Sequence, residues 1–375
     1  MVARMAFRPL LHVLQGARKT RSWAELKLLL KDRLFPATTI RANGEDPLPP
    51  LLFQMATAYW MSQAIYVAAK VGIADLLHDG PQSCAALATA TGSDAPSLFR
   101  LLRALSSVGI FSQVGESSFA LSRLAEPLRS DVTGSLRAIV ITIGEIHYQA
   151  CGELLHSVRT GSTAFNQVFG TSLFDYLEQN ADAADAFNRG MTDLSTLLAH
   201  AVLMAYDFSG ISSLVDVGGG EGRLLRKILQ LNPEMTGIVF DLPKTVESAN
   251  CRAADGERCS YLAGNFFESV PEGADAYLLC GVLHDWDDDR AITVLRNCRR
   301  AAMTKNGRVL IIDMIVTDTN SASFSKLLDL NMMVMTGGRE RTKAEFQALL
   351  DAAEYRIKKI IPTMAPQSII EAVLK

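Results

Sequence analysis

His284 follows the apolar run Ala276-Tyr277-Leu278-Leu279-Cys280 after only Gly281-Val282-Leu283, and Asp285-Trp286 come next. A run of that length reads as a buried strand, and the carboxyl ends of such strands form the edge where open α/β sheets bind ligands. A neutral imidazole held there can take a proton at pH 7. Two carboxylates are candidates to orient it: Asp313, which ends the run Val309-Leu310-Ile311-Ile312, and Glu340 in the loop Gly337-Gly338-Arg339-Glu340-Arg341. A carboxylate partner fixes the tautomer and raises basicity, as a base needs if it must deprotonate a phenol whose pKa lies about 3.5 units above that of free histidine. The alternative is a capping or core histidine. Asp287, Asp288 and Asp289 have a plainer explanation, since acids in a first helical turn satisfy free N–H groups and suit the dipole.

A second set of residues reads as a cofactor loop. Leu214-Val215-Asp216-Val217-Gly218-Gly219-Gly220-Glu221-Gly222 is an apolar run entering a glycine turn, and Ile238-Val239-Phe240-Asp241-Leu242-Pro243 brings an acid to the same edge. Asp241 is placed to accept hydrogen bonds from ribose hydroxyls. A dinucleotide site wants G-x-G-x-x-G, whereas this loop reads D-x-G-x-G-x-G, with Arg223 where the third glycine belongs. A pyrophosphate needs a free helix N-terminus; S-adenosylmethionine has no phosphate and carries a cationic sulfonium, which Asp216 and Glu221 suit better. A glycine turn with no ligand is the other reading.

The rest of the chain must position these groups. Its 375 residues exceed what one core usually holds, so two domains are expected. Apolar residues make up 49%, charged residues 21%, and the net charge is −3, which does not suggest a surface built for nucleic acid. Cys84, Cys151, Cys251, Cys259, Cys280 and Cys298 lack C-x-x-C spacing and read as free thiols of a reducing compartment, not as a metal site. No run long enough to span a membrane occurs. Before Pro36, eight basic residues (Arg4, Arg8, Arg18, Lys19, Arg21, Lys27, Lys31 and Arg33) face only Glu25 and Asp32. Such a segment suits a transit peptide or a membrane-surface helix, but the stripe of Trp23, Leu26, Leu29, Leu30 and Leu34 favours a helix packed on a partner.

Asn43-Gly44-Glu45-Asp46-Pro47-Leu48-Pro49-Pro50 predicts a break. Helical spacing then runs from Met55 to Leu77, from Ser83 to Gly92 and through Ser97–Leu105, before Gly109-Ile110-Phe111 and the alternating Ser118–Ser122. Three helices and a β-wing make a winged-helix pattern. Arg100 and Arg103 could belong to a DNA-reading helix, but Leu98, Leu101, Leu102 and Leu105 favour a packing role. Residues 133–207 read as mostly helical, including Phe174–Leu177 and Ala181–Leu203. Beyond them strands at 213–217, 236–240, 259–263, 275–280 and 308–314 alternate with helices at 222–231, 244–251, 288–303 and 342–353, which implies a mostly parallel sheet. Tyr355–Pro362 and Ser368–Leu374 read as a closing hairpin.

Leu214–Gly220, Phe240–Pro243, Leu283–Trp286 and Gly337–Thr342, taken in order, resemble the S-adenosylmethionine-dependent O-methyltransferases of the plant caffeic-acid type and their bacterial natural-product relatives, over residues 50 to 375. The resemblance implies an α/β Rossmann-like methyltransferase domain with an N-terminal helical, winged-helix-like dimerisation domain. It divides the chain into a basic extension (1–49), the dimerisation domain (50–132), a helical connector lining the acceptor pocket (133–207) and the cofactor-binding catalytic domain (208–375). It further implies a cytoplasmic homodimer that methylates a phenolic or enolic hydroxyl of a small secondary metabolite and binds no nucleic acid. His284 would be the general base, with Asp313 and Glu340 orienting it. Ser195, Asp216, Gly218, Gly220, Asp241, Leu242, Asn265, Phe266 and Cys280 would lie along the cofactor, and Met191, Asp285, Asn331 and Met335 in the acceptor pocket. Three residues depart from the family pattern: Asn265 where Asp is usual, Cys280 where a polar residue is frequent, and Asp313 where Glu is common. Some relatives bind the cofactor yet catalyse hydroxylation or pericyclic chemistry, which remains the alternative, with a winged-helix DNA-binding regulator as the remaining one.

Overall fold

The computed structural model describes residues 48–250, 258–302 and 307–375. The basic helix expected before Pro36 and the start of the Asn43 break lie outside these residues, as do the ends proposed for two helices at Cys251 and Met303. The chain divides at Tyr59 into two units. In the first, Leu48–Ala56 is helical, so Leu48-Pro49-Pro50 opens a helix where the sequence predicts a break. Proline is tolerated there because first-turn N–H groups have no intrahelical acceptor to lose.

The second unit begins with the helices Tyr59–Lys70 and Ile73–Leu76, so the continuous spacing from Met55 to Leu77 is interrupted twice. Ser83 caps Cys84–Thr91, and Asp94 caps Ala95–Ser107 by accepting from the Ser97 N–H. Leu98, Leu102 and Leu105 of the latter are buried against Leu87 and Phe119 in one core. Strands β1 (Gln82–Ser83), β2 (Phe111–Val114) and β3 (Ser118–Leu121) form the small antiparallel wing, in the order β1-β3-β2. Short helices and the long Ala181–Ala205 helix carry the chain to the main sheet.

That sheet contains β4 (Ser213–Val217), β5 (Thr236–Asp241), β6 (Cys259–Ala263), β7 (Ala276–Cys280), β8 (Arg308–Asp313), β11 (Tyr355–Pro362) and β12 (Ser368–Leu374). Two further short strands, β9 (Ile315–Val316) and β10 (Arg341–Thr342), pair in parallel beside it. The main order is β11-β12-β8-β7-β4-β5-β6, parallel from β8 to β6, with β12 and β11 antiparallel at one edge. This is the mostly parallel, Rossmann-like sheet expected from the sequence, with the hairpin closing one edge. Its inner strands are mostly apolar because both faces are covered by helices, giving two buried cores, one around Val217, Leu279 and Ile311 and the other around Leu214, Leu225 and Leu278. The strand order reverses between β4 and β7. Loops leaving those two strands therefore diverge and open a crevice, the place where ligands bind in open α/β sheets. The helix Phe324–Met335 has no counterpart among the elements expected from the sequence. Among the described residues no helix is long and apolar enough to cross a membrane.

Candidate active site

The glycine loop leaves β4 at Val217. The Gly218 N–H donates to the Phe240 carbonyl at 2.8 Å, tying the loop to β5. Gly220 has φ 58°, and a Cβ built there would meet nothing within 4 Å, so this stretch of backbone faces open space. Its N–H donates to Asp241 Oδ2 at 2.8 Å, while the Leu242 N–H donates to Oδ1 at 2.7 Å. Those bonds fix the Asp241 carboxylate at the lip of the crevice. The Arg223–Leu231 helix starts immediately after the loop.

This corner is short of positive charge. Burial, and then the neighbouring Asp241, push Asp216 up to about 7, and its Oδ1 is closed from solvent with no hydrogen-bond partner among the described residues. Burial also raises Asp241, against the hydrogen bonds from Gly220 and Leu242 that favour its charged form. Two buried acids with raised pKa values are relieved by a cation, so the residues fit a cationic nucleoside cofactor. Phe266 Cε1 lies 3.8 Å from where a Gly218 Cβ would be, which puts its ring beside the loop. Asn265 uses its side chain locally, accepting from the Phe267 N–H at 3.0 Å and donating to Glu268 at 3.1 Å. Ser195 likewise donates to the Thr192 carbonyl within its helix. The Leu242 side chain is exposed. Burial, then Asp216 and Asp313, hold the Cys280 thiol well above its usual range.

His284 does not end β7 but sits in a 3₁₀ turn, Leu283–Asp285, just beyond it. The Gly337–Thr342 loop grips this turn. His284 Nδ1 lies 2.7 Å from Glu340 Oε1, whose side chain is fully buried. The His284 carbonyl accepts the Arg339 N–H at 2.8 Å, and the Glu340 N–H donates to Asp329 at 2.9 Å. Arg341, 0% exposed, donates to the carbonyls of Leu283 (2.8 Å) and Trp286 (2.9 Å) and to Asp288 (2.8 Å). A Cβ at Gly338 would fall 2.0 Å from the His284 carbonyl oxygen, so only glycine lets the loop come this close.

The structure corrects the expectation for Asp313. Among the described residues both its carboxylate oxygens are buried without hydrogen-bond partners, and Glu340 is the one that bonds the imidazole. The short aspartate side chain leaves Asp313 acting on His284 only through its field. Asp285, expected in the acceptor pocket, sits beside the ring with Oδ1 3.9 Å from Nε2. Burial opposes a charged imidazole, yet Asp285, the hydrogen bond to Glu340 and Asp313 outweigh it and raise His284 to about 10. Burial raises Asp313 and Asp285 as well. Asp285 and Asp313 are raised together with the ring, so these three titrate as a coupled set that favours the imidazolium over the neutral imidazole expected from the sequence. Asp287 caps the Asp288–Ala301 helix, accepting from the Arg290 N–H at 2.8 Å as expected.

Of the expected pocket residues, Asn331 is half-buried with Nδ2 3.2 Å from His147 Nδ1, Met191 is 38% exposed, and Met335 is buried in a core with Phe165 and Val334. His147 and Arg341 are working residues that the sequence does not single out. Trp286, the residue after Asp285, stacks on Phe174 at 5.6 Å and meets Phe267 edge-on at 4.7 Å, joining the connector to the loop after β6.

A profile of the O-methyltransferase domain matches residues 151–356, and one of the O-methyltransferase dimerisation domain matches residues 53–131. The chain is 43% identical to the phenazine O-methyltransferase of Lysobacter antibioticus, over 88% of this chain and 97% of that one. It is 34% identical to the phenazine-1-carboxylate N-methyltransferase of Pseudomonas aeruginosa, over 83% and 92%. Its structure is similar to that of an O-methyltransferase from neocarzinostatin biosynthesis in complex with S-adenosylmethionine and 2-hydroxy-5-methyl naphthoic acid, with a TM-score of 0.71 at 32% identity, covering 84% of this chain and 96% of the other.

Proposed function

Since the chain belongs to the S-adenosylmethionine-dependent O-methyltransferase family of natural-product biosynthesis, we propose that it methylates a phenolic or enolic hydroxyl on a small fused-ring metabolite, with His284 as the proton acceptor. The 2.7 Å contact between His284 Nδ1 and the buried Glu340 carboxylate carries this reading. A proton on Nδ1 shared with Glu340 leaves the Nε2 lone pair for the acceptor hydroxyl. Bound S-adenosylmethionine would supply an electrophilic methyl group, with its sulfur as the leaving group that keeps the C–S bonding electrons. The acceptor oxygen forms the new C–O bond as its proton passes to Nε2. Holding the oxygen in line with the methyl group contributes much of the acceleration, since well-oriented reactants gain about 7–11 kcal/mol over free encounter.

The raised His284 adds a condition. The reactive complex carries one proton fewer than the resting cluster, whether drawn as a neutral ring beside a hydroxyl or as an imidazolium beside a phenolate. A ring pKa near that of a phenol makes the transfer nearly balanced, so little energy is lost in moving the proton.

Around the cofactor, Asp241 takes the ribose, Gly218 and Gly220 the backbone approach, Phe266 the adenine face and Asp216 the favourable field, with Ser195, Leu242, Asn265 and Cys280 around them. Met191, Asn331 and Met335 belong to the acceptor side. The dimerisation-domain match supports a homodimer, and Arg100 and Arg103 are given no nucleic-acid role. The six cysteines lack C-x-x-C spacing, and their reading as free thiols supports a reducing, cytoplasmic setting.

The N-methylating relative motivates a second reading, in which an amine replaces the hydroxyl. Incubation with methyl-labelled S-adenosylmethionine and hydroxy- or amino-substituted aromatics separates the readings by mass spectrometry. A labelled methyl ether supports the proposal. A labelled amine supports the second reading, and turnover to an unlabelled product sinks methyl transfer altogether.

A further inference from the structure

One polar group near the Asn331 face is left without a partner. The helix Arg137–Thr142 does not continue as an α-helix but passes through a π-turn, Ile143–His147, before Tyr148–Gly152. A π-turn accommodates an extra residue and rotates the next helical segment, and such turns concentrate at functional sites. Gly144 allows the turn to form, because a Cβ there would lie 2.1 Å from Tyr66 Cγ. Tyr66 OH and Lys70 Nζ both donate to the Glu145 carboxylate, and Gln63 donates to the Gly144 carbonyl, so the turn is held from one side.

These restraints leave His147 with an unusual hydrogen-bond inventory. Its Nδ1 faces the Asn331 amide nitrogen at 3.2 Å and can only accept from it, so the proton of the neutral ring is on Nε2. Burial lowers the ring to about 4, so it is neutral at pH 7. Nε2 is closed from solvent and has no hydrogen-bond partner among the described residues. Asn331 stands two residues after Asp329, which receives the N–H of Glu340, the carboxylate that holds His284. Asn331, the partner of His147, thus stands on the same helix that supports the base.

We propose that His147 Nε2–H is a specificity donor for the acceptor, which must carry, besides the methylated hydroxyl, a lone-pair atom fixed in its ring system: a ring nitrogen or a quinone-type carbonyl oxygen. This rests on Asn331 belonging to the acceptor side of the site. A buried donor built to meet such an atom discriminates strongly against the analogue that lacks it, because the donor is then left unpaired.

The test is equilibrium binding of matched acceptors to the full-length protein saturated with S-adenosylhomocysteine, which does not depend on turnover. 1-Hydroxyphenazine, 1-hydroxyanthraquinone and 1-hydroxyanthracene share one outline and differ in ring nitrogens, carbonyls and neither. The wild type is expected to bind one of the first two at least about tenfold more tightly than the hydrocarbon. His147→Leu is expected to abolish that ratio while leaving cofactor binding intact, and His147→Gln, which retains a donor, to keep part of it. Which compound is preferred tells ring nitrogen from carbonyl. A wild type without preference, or a His147→Leu protein that keeps it, overturns the proposal. Failure of methyl transfer would instead appear as selective binding without a methylated product.

Discussion

Glu340 Oε1 lies 2.7 Å from His284 Nδ1, and its second oxygen is closed from solvent with no partner among the described residues. The carboxylate is therefore committed to the imidazole. Glu340→Gln keeps an acceptor for the Nδ1 proton but removes the charge that helps raise the ring. With the wild-type ring raised to about 10, kcat/KM should climb with pH from about 6 to about 9. In the variant the ring deprotonates more easily, so the profile should level off at lower pH, with a plateau reduced on the order of 10²-fold. A profile that keeps its wild-type position would remove Glu340 from the proton inventory.

Arg341 holds the His284 turn from beneath. Arg341→Met leaves the Leu283 and Trp286 carbonyls without their donor and Asp288 with only the more distant Arg339 guanidinium. Loss of this set should cost about 3 kcal/mol and lower Tm by roughly 5 °C. Activity should fall further than stability explains, because the ring loses its register with Glu340. Thermal melts alongside kinetics of the surviving folded fraction measure both; an unchanged Tm would show that the clamp carries no load.

How far these residues can be read without a structure differs from case to case. Tyr355–Pro362 and Ser368–Leu374 are legible to the residue because each apolar run is bounded by turn-forming residues. Phe324–Met335 is not, since Leu327, Leu328, Leu330, Met332, Met333, Val334 and Met335 spread around the helix and leave no clean stripe. Asp241 is legible because it ends a strand, Glu340 because it stands in a glycine loop, and His284 because it follows a buried apolar run by only a few residues. The failure of Asp313 to bond the ring is a matter of reach, which residue type alone does not settle. Arg341 reads as a surface charge and His147 as one more helical residue: burial in the first case and a π-turn in the second carry no marker in a single sequence.

Asp216 is held at a cost to the free protein. Its carboxyl titrates near 3.9 when unfolded and at about 7 when folded. The folded state therefore binds the proton more tightly, and stability is lost as pH rises from the lower value to the higher, with the full penalty present above 7. Asp216→Asn should raise the Tm of the cofactor-free protein by about 1–3 °C at pH 8 and by less at pH 5. The same change should weaken S-adenosylmethionine more than the uncharged thioether S-adenosylhomocysteine. Equal weakening of the two ligands would remove the electrostatic role.

The most direct test of the account is the rate of labelled methyl transfer by His284→Ala, measured on an accepted hydroxyl substrate with cofactor affinity determined in parallel. The account predicts a fall in kcat of about 10²–10⁴-fold with S-adenosylmethionine binding unchanged, and partial recovery when the pH is raised enough to ionise the acceptor in solution. Turnover within about threefold of the wild type at neutral pH would contradict His284 as the proton acceptor.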